Sequence, residues 1–391
     1  MNPSATHSQK IPPSALPQSE SEILAWLRLA RSRRVGPSTF IRLLREHKNA
    51  EAALAALPEV ASLAGAKSYM ACRADQANAE MEAGFSAGAE LLCLGTPEYP
   101  PHLALIADPP PVLWAIGDPA LAQRPTVGLV GARNASSLGQ RMARILAKEL
   151  GPAGYIIASG LARGVDTAAH IASLETGTIA VLAGGVDVVY PRENKGLWEQ
   201  ICHNGLVVSE APIGTSPQAR HFPKRNRIIS GMSLGIVVIE GAAKSGSLIT
   251  ARNALDQGRE VMAIPGSPLD PRATGCNMLL RDGAGLVLSG ADVIEYLESA
   301  LQGMADFPAP VELTAPQIAH SRAATESEPL QPTASSITPN LKSLLSTAPV
   351  PEDTLIRESG LPTPKAMELI FDLELAGEIT RHPGGLLSLA T

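Results

Sequence analysis

At 391 residues, with 45% hydrophobic and 18% charged side chains, the chain can hold two or three domains and a large buried core, which excludes a disordered polymer. No apolar run approaches the ~20 residues of a membrane span, and the four cysteines, Cys72, Cys93, Cys202 and Cys276, lie far apart with no CxxC and no histidine at ligand spacing, which argues against a zinc site or a disulfide framework. The net charge of −6 gives no global sign of nucleic-acid binding, yet a local basic face is what such binding needs.

Residues 1–19 are Pro/Ser-rich and lack the apolar core and small-residue cleavage site of a signal peptide, so a loose tail on a cytoplasmic protein is expected. Residues 20–86 read as helices throughout: EILAWLRLARS, VGPSTFIRLLREH, AEAALAALPEVASL and an Ala-rich segment with Met70, Met81 and Phe85. The turn Arg33-Arg34-Val35-Gly36-Pro37-Ser38, with Ser38 a candidate N-cap, resembles a helix-hairpin-helix, though a small bundle whose turn merely needs glycine is the somewhat better reading. LLCLG and PVLWAIGD, joined by a Pro-rich connection, suit edge strands of the next domain.

From Thr126 strands and helices alternate. The strands read TVGLVG, YIIAS, TIAVLAG, GLVVSE, GIVVIE, EVMAIPG and LVLS. Continuous Val/Ile/Leu runs mean strands covered on both faces, hence a parallel doubly wound Rossmann-like α/β sheet over 87–303, in which ligands bind beyond the carboxyl ends of the strands. Residues 304–339 are rich in Pro, Ala, Ser and Thr and read as a flexible linker. Residues 340–391 read as helices LKSLLST, EDTLIRESG and PTPKAMELIFDLELAGE, then a hairpin about Pro383-Gly384-Gly385, the order of a winged helix. Its expected recognition helix, 364–377, carries Lys365 among Glu368, Asp372 and Glu374, with Glu378 just beyond, a poor surface for duplex DNA and no less suited to protein contact.

The strand ends collect loops of small residues: Gly131-Ala132-Arg133-Asn134, Ser159 to Asp166 with Gly160, Arg163 and Gly164, Gly184-Gly185-Val186-Asp187, Ser209-Glu210-Ala211-Pro212, 241–247 and Pro265-Gly266-Ser267. Small residues admit close backbone approach, and a Gly/Ser loop opening a helix aims amides and a positive helix end at phosphate. Around these loops stand Arg133, Arg163, Arg192, Lys224, Arg225, Arg227 and Lys244, with Tyr190 and Phe222 interleaved. Cations along a backbone with an aromatic platform for bases are the requirements for single-stranded nucleic acid.

Standard enzyme spellings fail their tests. GMSLG has the G-x-S-x-G spacing, but here a helix precedes the serine and a strand follows, the reverse of a nucleophile elbow. In GAAKSGS, Lys244 comes before the second glycine, where a P-loop has it after. VGARNASSLG lacks the dinucleotide G-x-G-x-x-G. Glu210, Asp187 or Glu240 beside a phosphate groove leaves open a general acid or base for glycosidic cleavage, although Glu240, last on its strand, reads better as a cap of the next loop.

The blocks SGLARGVDTAAHIASLETGTIAVLAGGVDVVYPREN, SEAPIGTSPQARHFPKRNRIISGMSLGIVVIEGAAKSGSLITARNALDQGREVMAIPG and TGCNMLLRDGA resemble, in order, those of the DNA-processing protein A family (DprA, also called Smf). The resemblance covers 91–297, and the helical front (SAM or helix-hairpin-helix-like) and winged tail fit the family layout. It implies a bacterial cytoplasmic protein that binds incoming single-stranded DNA, forms a homodimer through its sheet domain, and loads the RecA recombinase onto that DNA in natural transformation and recombination despite single-strand-binding protein. It implies no known catalysis, no cofactor and no metal. By motif, Arg133 in Gly131-Ala132-Arg133 matches the principal phosphate-binding cation, Phe222 the aromatic beside bases, with Arg225, Asn226 and Arg227 completing F-x-x-R-N-R. Ser245-Gly246-Ser247 matches the S-G-S loop, and Arg192 is expected at the same pocket. Ala132 stands where the family has Ser or Thr, losing a hydroxyl donor, and Thr274 where Ser is common. The enzymatic alternative is a nucleotide phosphoribohydrolase on a related sheet, whose PGGxGTxxE loop this chain lacks.

Overall fold

In the computed structural model, which describes residues 11–63, 69–305, 345, 350–359, 361, 363–376, 378–382 and 386–389, helix α1 (Glu20–Arg31) starts at a capping box. The Ser19 hydroxyl accepts from the Glu22 N–H, and the Glu22 carboxylate accepts from the Ser19 N–H. Helix α2 (Pro37–His47) takes Gly36 as its N-cap with Pro37 in the first turn, so Ser38 lies inside the helix and is not the cap. Proline is at home there because its missing N–H would have no helical partner. Trp26 and Phe40 meet edge to face, centroids 5.0 Å apart. Helices α3 (Ala50–Leu63) and α4 (Ala74–Ser86) complete the front of the chain.

The chain divides into two units, Met1–Ala55 with Met70–Ala305, and Ala56–Tyr69 with Asp306–Thr391. In the first, β1 (Glu90–Cys93), β2 (Val112–Gly117), β3 (Thr126–Gly131), α5 (Ser137–Leu150), β4 (Ile156–Ser159), α6 (Val165–Ser173), β5 (Thr178–Val181), α7 (Lys195–Asn204), β6 (Leu206–Ser209), α8 (His221–Met232), β7 (Gly235–Ile239), α9 (Gly246–Asp256), β8 (Glu260–Ala263), α10 (Thr274–Arg281), β9 (Gly285–Leu286) and α11 (Gly290–Ala305) follow one another. They build a 9-stranded sheet in the order β1-β2-β6-β5-β4-β3-β7-β8-β9. The strands from β3 to β9 are parallel; β1 and β2 close one side antiparallel, with β1 at the edge. The doubly wound reading therefore holds, with an antiparallel margin. Strands β4 to β7 are buried along their whole length, as continuous apolar runs require. The order reverses at β3: later strands go first to the β4 side and then to the β7 side, which leaves a crevice over the carboxyl ends of β3 and β7.

The helical front is locked to this sheet by one carboxylate. Glu80 on α4 binds the Arg31 guanidinium at 2.8 Å and accepts from Trp114 Nε1 at 2.8 Å. Arg31 also donates to the Glu210 carbonyl at 3.2 Å. Trp114 is fully buried on β2, and α4 passes over it at Gly84, where a Cβ would lie 2.4 Å from the ring.

In the second unit, β10 (Val350–Pro351), α12 (Glu352–Ser359), α13 (Thr363–Ala376), β11 (Ile379–His382) and β12 (Leu386–Leu389) form a 3-stranded antiparallel sheet, β10-β12-β11, with its helices over a core that includes Leu355, Ile370 and Leu387. The expected recognition helix is α13. The tail segment 1–10, most of the 304–339 linker, the LKSLLST helix apart from Leu345 and the Pro-Gly-Gly turn lie outside the described residues. Arg381 on β11 is held by Glu352 and Glu374 at 2.6 and 3.1 Å, so this wing cation is internally neutralised.

Replacing Glu80 with alanine strands Arg31 and the Trp114 N–H together. Urea denaturation is expected to show a loss of roughly 3 kcal/mol, the scale of a broken buried pair, with a smaller loss for Glu80→Gln.

Candidate nucleic-acid interface

The turn leaving β3 must pass very close to β7. At Gly131 a Cβ would sit 1.9 Å from the Ile239 carbonyl oxygen, so no side chain fits there. The constraint carries Arg133 out to the surface, where its guanidinium lies over the Phe222 ring, 4.8 Å from the centroid. Phe222 stands in the first turn of α8 and touches Tyr190 at 5.7 Å, rings tilted by 59°. Cation and ring thus form one rim of a cleft of about 530 Å³, and Tyr190 stands behind the ring. Tyr190 is 49% exposed, which leaves aromatic surface open to solvent.

The opposite side is the start of α9. Ser245 is its N-cap residue, yet no side-chain capping bond is made; the Ser245 and Ser247 hydroxyls meet each other at 2.7 Å. Asn226 on α8 donates to the Gly246 carbonyl at 3.2 Å and fixes the loop against the aromatic rim. The first amides of α9 are thus open toward the cleft, with the positive helix end behind them.

The neighbouring helix starts are closed by carboxylates of the chain itself. Glu240, in the left-handed region at φ 54°, accepts from the Ser136 N–H at 2.8 Å and from the Ser136 hydroxyl, at the start of α5. It therefore caps the α5 entry, not the loop that follows it. A non-glycine residue in that conformation costs about 1 kcal/mol or more, offset here by placing a carboxylate at a helix N-terminus. Asp166 accepts from the Gly160 and Ala162 amides at 3.1 and 3.2 Å. Of the six loops read as phosphate-facing, those from β3 and into α9 form the cleft walls, and the β4–α6 loop contributes Ala162 and Asp166.

Arg225 borders the cleft from below. It is buried, donates through Nη1 to the Val181 carbonyl, and lies against Gly160, where a Cβ would come within 2.1 Å of Nη1. Burial pushes its pKa down to about 10, opposed by the Asp166 charge, and it stays cationic at neutral pH. Among the described residues its Nε has no acceptor. Burial likewise raises Asp166, with Arg225 pulling the other way. Beneath them His170 accepts from the Leu161 N–H at 3.3 Å through Nε2, which puts its proton on Nδ1, 2.7 Å from the Thr178 hydroxyl. That bond holds Leu161 at φ 54° and shapes the 160–164 turn.

Several expected contacts are placed elsewhere. Arg227 points away from the cleft: it binds both Glu210 oxygens at 2.8 and 2.7 Å and the Asp108 carbonyl at 2.7 Å. Its place two residues after Arg225 on a helix turns it to another face. Arg163 is paired with Glu193 and does not line the cleft. Ser159 is buried, its hydroxyl donated to the Leu129 carbonyl at 2.6 Å. Gly160 makes room for Arg225, and Gly164, at φ 76°, lets α6 start against the Ala132 carbonyl. Arg192, Lys224 and Lys244 are exposed but outside the lining, while Ala132, Arg133, Phe222, Arg225, Asn226 and the Ser245-Gly246-Ser247 loop are in it. The carboxylates weighed for catalysis are committed: Glu210 to Arg227, Asp187 to the Gly214 N–H at 2.9 Å, and Glu240 to α5. Asn134, in a strand-end loop the sequence marked, lines the cleft as well; the sequence reading missed Thr250 and Arg272, and the signal for Arg272 was its place just ahead of α10.

Residues 90–298 match the family model described as DNA recombination-mediator protein A, 20–83 a DprA-like N-terminal HHH domain, and 325–385 a DprA winged helix domain. The chain belongs to the DNA recombination-mediator protein A family. Within this DprA/Smf family it is 36% identical to protein Smf of Escherichia coli over 297 residues, 74% of this chain and 75% of that one. It is 45% identical to the DNA processing protein DprA of Bacillus subtilis over 213 residues, 54% of this chain and 72% of that one. The X-ray structure of DprA from Streptococcus pneumoniae superposes with a TM-score of 0.61 at 33% identity, covering 71% of this chain and 98% of that one. No described helix is long and apolar enough to cross a membrane.

Burial, with the nearby Arg225 charge, pushes the His170 pKa down from 6.5 to about 3. Between those values the unfolded chain binds a proton that the folded chain refuses, so this group's contribution to stability is whole above about pH 6.5 and falls as pH drops. Urea midpoints at pH 7 and pH 5 are expected to separate more for the wild type than for His170→Gln, by at most about 1.4 kcal/mol per pH unit below 6.5.

Proposed function

We propose that the chain captures incoming single-stranded DNA in this cleft and hands it to the RecA recombinase, in natural transformation and recombination. The observation that carries the reading is the Arg133–Phe222 stack facing the open amides of α9. An aromatic face can hold a base only where the base is unstacked, whereas paired bases in a duplex offer no free face; cation and amides take the phosphates beside it. Family membership adds the recombination-mediator role. The partners follow from that family reading: RecA, single-strand-binding protein as the competitor on the strand, and a second copy of the chain joined through the sheet domain to lengthen the groove, all in the cytoplasm. The committed state of Glu210, Asp187 and Glu240 favours binding without covalent chemistry over the phosphoribohydrolase reading.

Binding of oligo-dT across a salt series tests the site. Arg133→Ala is expected to lower the log–log salt slope by about 0.7, one phosphate on a single strand. Phe222→Ala is expected to cost about 1–3 kcal/mol of binding through lost stacking. Unchanged slope and affinity in both variants would place the strand elsewhere.

The winged tail offers a paired Arg381 and an acid-rich α13. Removal of residues 340–391 is therefore expected to leave oligo-dT affinity within about twofold of the full chain, since no phosphate contact is lost. A collapse of binding would move the site to the tail.

A further inference from the structure

One wall of the cleft comes from the loop between β8 and α10, beyond its Pro265-Gly266-Ser267 turn. Asp270 accepts from the Arg272 N–H at 2.9 Å, and its carbonyl accepts from the Ala273 N–H at 2.9 Å. The Gly241 N–H donates to the Arg272 carbonyl at 2.5 Å, and the Gly275 N–H donates to the Gly241 carbonyl at 2.7 Å. The loop is thereby tied to the turn that opens α9, and Arg272 is held at the cleft edge with Pro271. Its guanidinium presents Nε and Nη2 to Asp270 at 3.1 and 2.9 Å. Among the described residues Nη1 has no acceptor. A planar guanidinium carries five donors in fixed directions, so one edge is taken by the carboxylate and another stays free. The bonds from Arg272 hold Asp270 below the usual carboxylate range, so it is charged at neutral pH. The bond to Asp270 holds Arg272 up, with a smaller contribution from the Glu240 charge.

We propose that Arg272 is a further phosphate-binding residue of the cleft and that Asp270 is a built-in competing anion that sets how tightly the strand is held. The proposal rests on the reading of the cleft as a single-stranded DNA site. A phosphate arriving opposite Arg133 meets the free edge of Arg272 and, beside it, a carboxylate of its own sign. The ion pair is locally neutral, so the contact gathers less charge than a bare arginine would. Asp166, in the cleft lining, and Glu240, whose charge reaches Arg272, are both bound to amides of the chain.

The test is fluorescence anisotropy of labelled oligo-dT on the full chain across a salt series, for wild type, Asp270→Asn, Arg272→Gln and the double variant. Asparagine keeps an oxygen for the Arg272 N–H while removing the charge, so the turn is retained. Asp270→Asn is expected to bind about threefold tighter, with a salt slope steeper by up to about 0.7. Arg272→Gln is expected to bind about threefold more weakly, and the double variant to match it. An Asp270→Asn protein that binds as the wild type does overturns the proposal. So does one whose gain persists unchanged beside Arg272→Gln, because the effect would then be general charge. A fall in melting midpoint of more than about 5 °C for Asp270→Asn assigns Asp270 to the fold and also overturns it. Wild type that does not bind oligo-dT removes the underlying reading as well; wild type that binds, with no response at Asp270, removes this proposal alone.

Discussion

A buried charge underlies the arrangement of the cleft. Arg225 sits inside the domain, its guanidinium on the Val181 carbonyl, beside Asp166 and against Gly160. An ion in the interior is tolerated only with its partners in place, so α8, the end of β5 and the turn after β4 are obliged to stay together. Phe222, one turn earlier on α8, inherits its position from that anchor, and Arg133 inherits its resting place from Phe222. The cleft rim is thus held from beneath by a residue that offers little surface of its own.

A second ordering principle is the placement of acids in a chain of net charge −6. Parallel strands deliver helix after helix with its N-terminus toward the same sheet edge, and each such end attracts anions. Here Glu240 closes the start of α5, and Asp166 takes the amides before α6. The start of α9 keeps its amides free of a capping side chain. That start is thus the one of these three left open to an outside anion, at the point where the strand order reverses. Glu210 and Asp108 serve another end: with Arg227, and through the Glu210 carbonyl and Arg31, they join α8 to the helical front.

The fold was legible because its signals are one-dimensional. Uninterrupted apolar runs such as GIVVI announce strands buried on both faces, and glycines at strand ends announce close crossings, as at Gly131. The residues carried by the F-x-x-R-N-R resemblance were found as a group, but the group was not uniform. Spacing along the chain does not tell that Phe222 faces the cleft, Arg225 is swallowed and Arg227 is spent on Glu210, because those fates depend on which strands and helices pack beside each turn of α8. Arg272 escaped for the complementary reason: it lies beyond the Pro265-Gly266-Ser267 turn that the sequence marked, and only the fold brings it back to the cleft. Strand β10 escaped because a two-residue strand with a proline in it, Val350–Pro351, has no period to detect.

The rim is already occupied by groups of the chain itself. Arg133 already lies on a face of Phe222, and Tyr190 already leans against the ring. A base that stacks there displaces a guanidinium or pushes in beside the tyrosine, so it gains the difference between two contacts and not the whole of one. The displaced arginine is freed at the same moment to meet the neighbouring phosphate. One small swing of the Arg133 side chain would thus both uncover the ring and turn the cation outward.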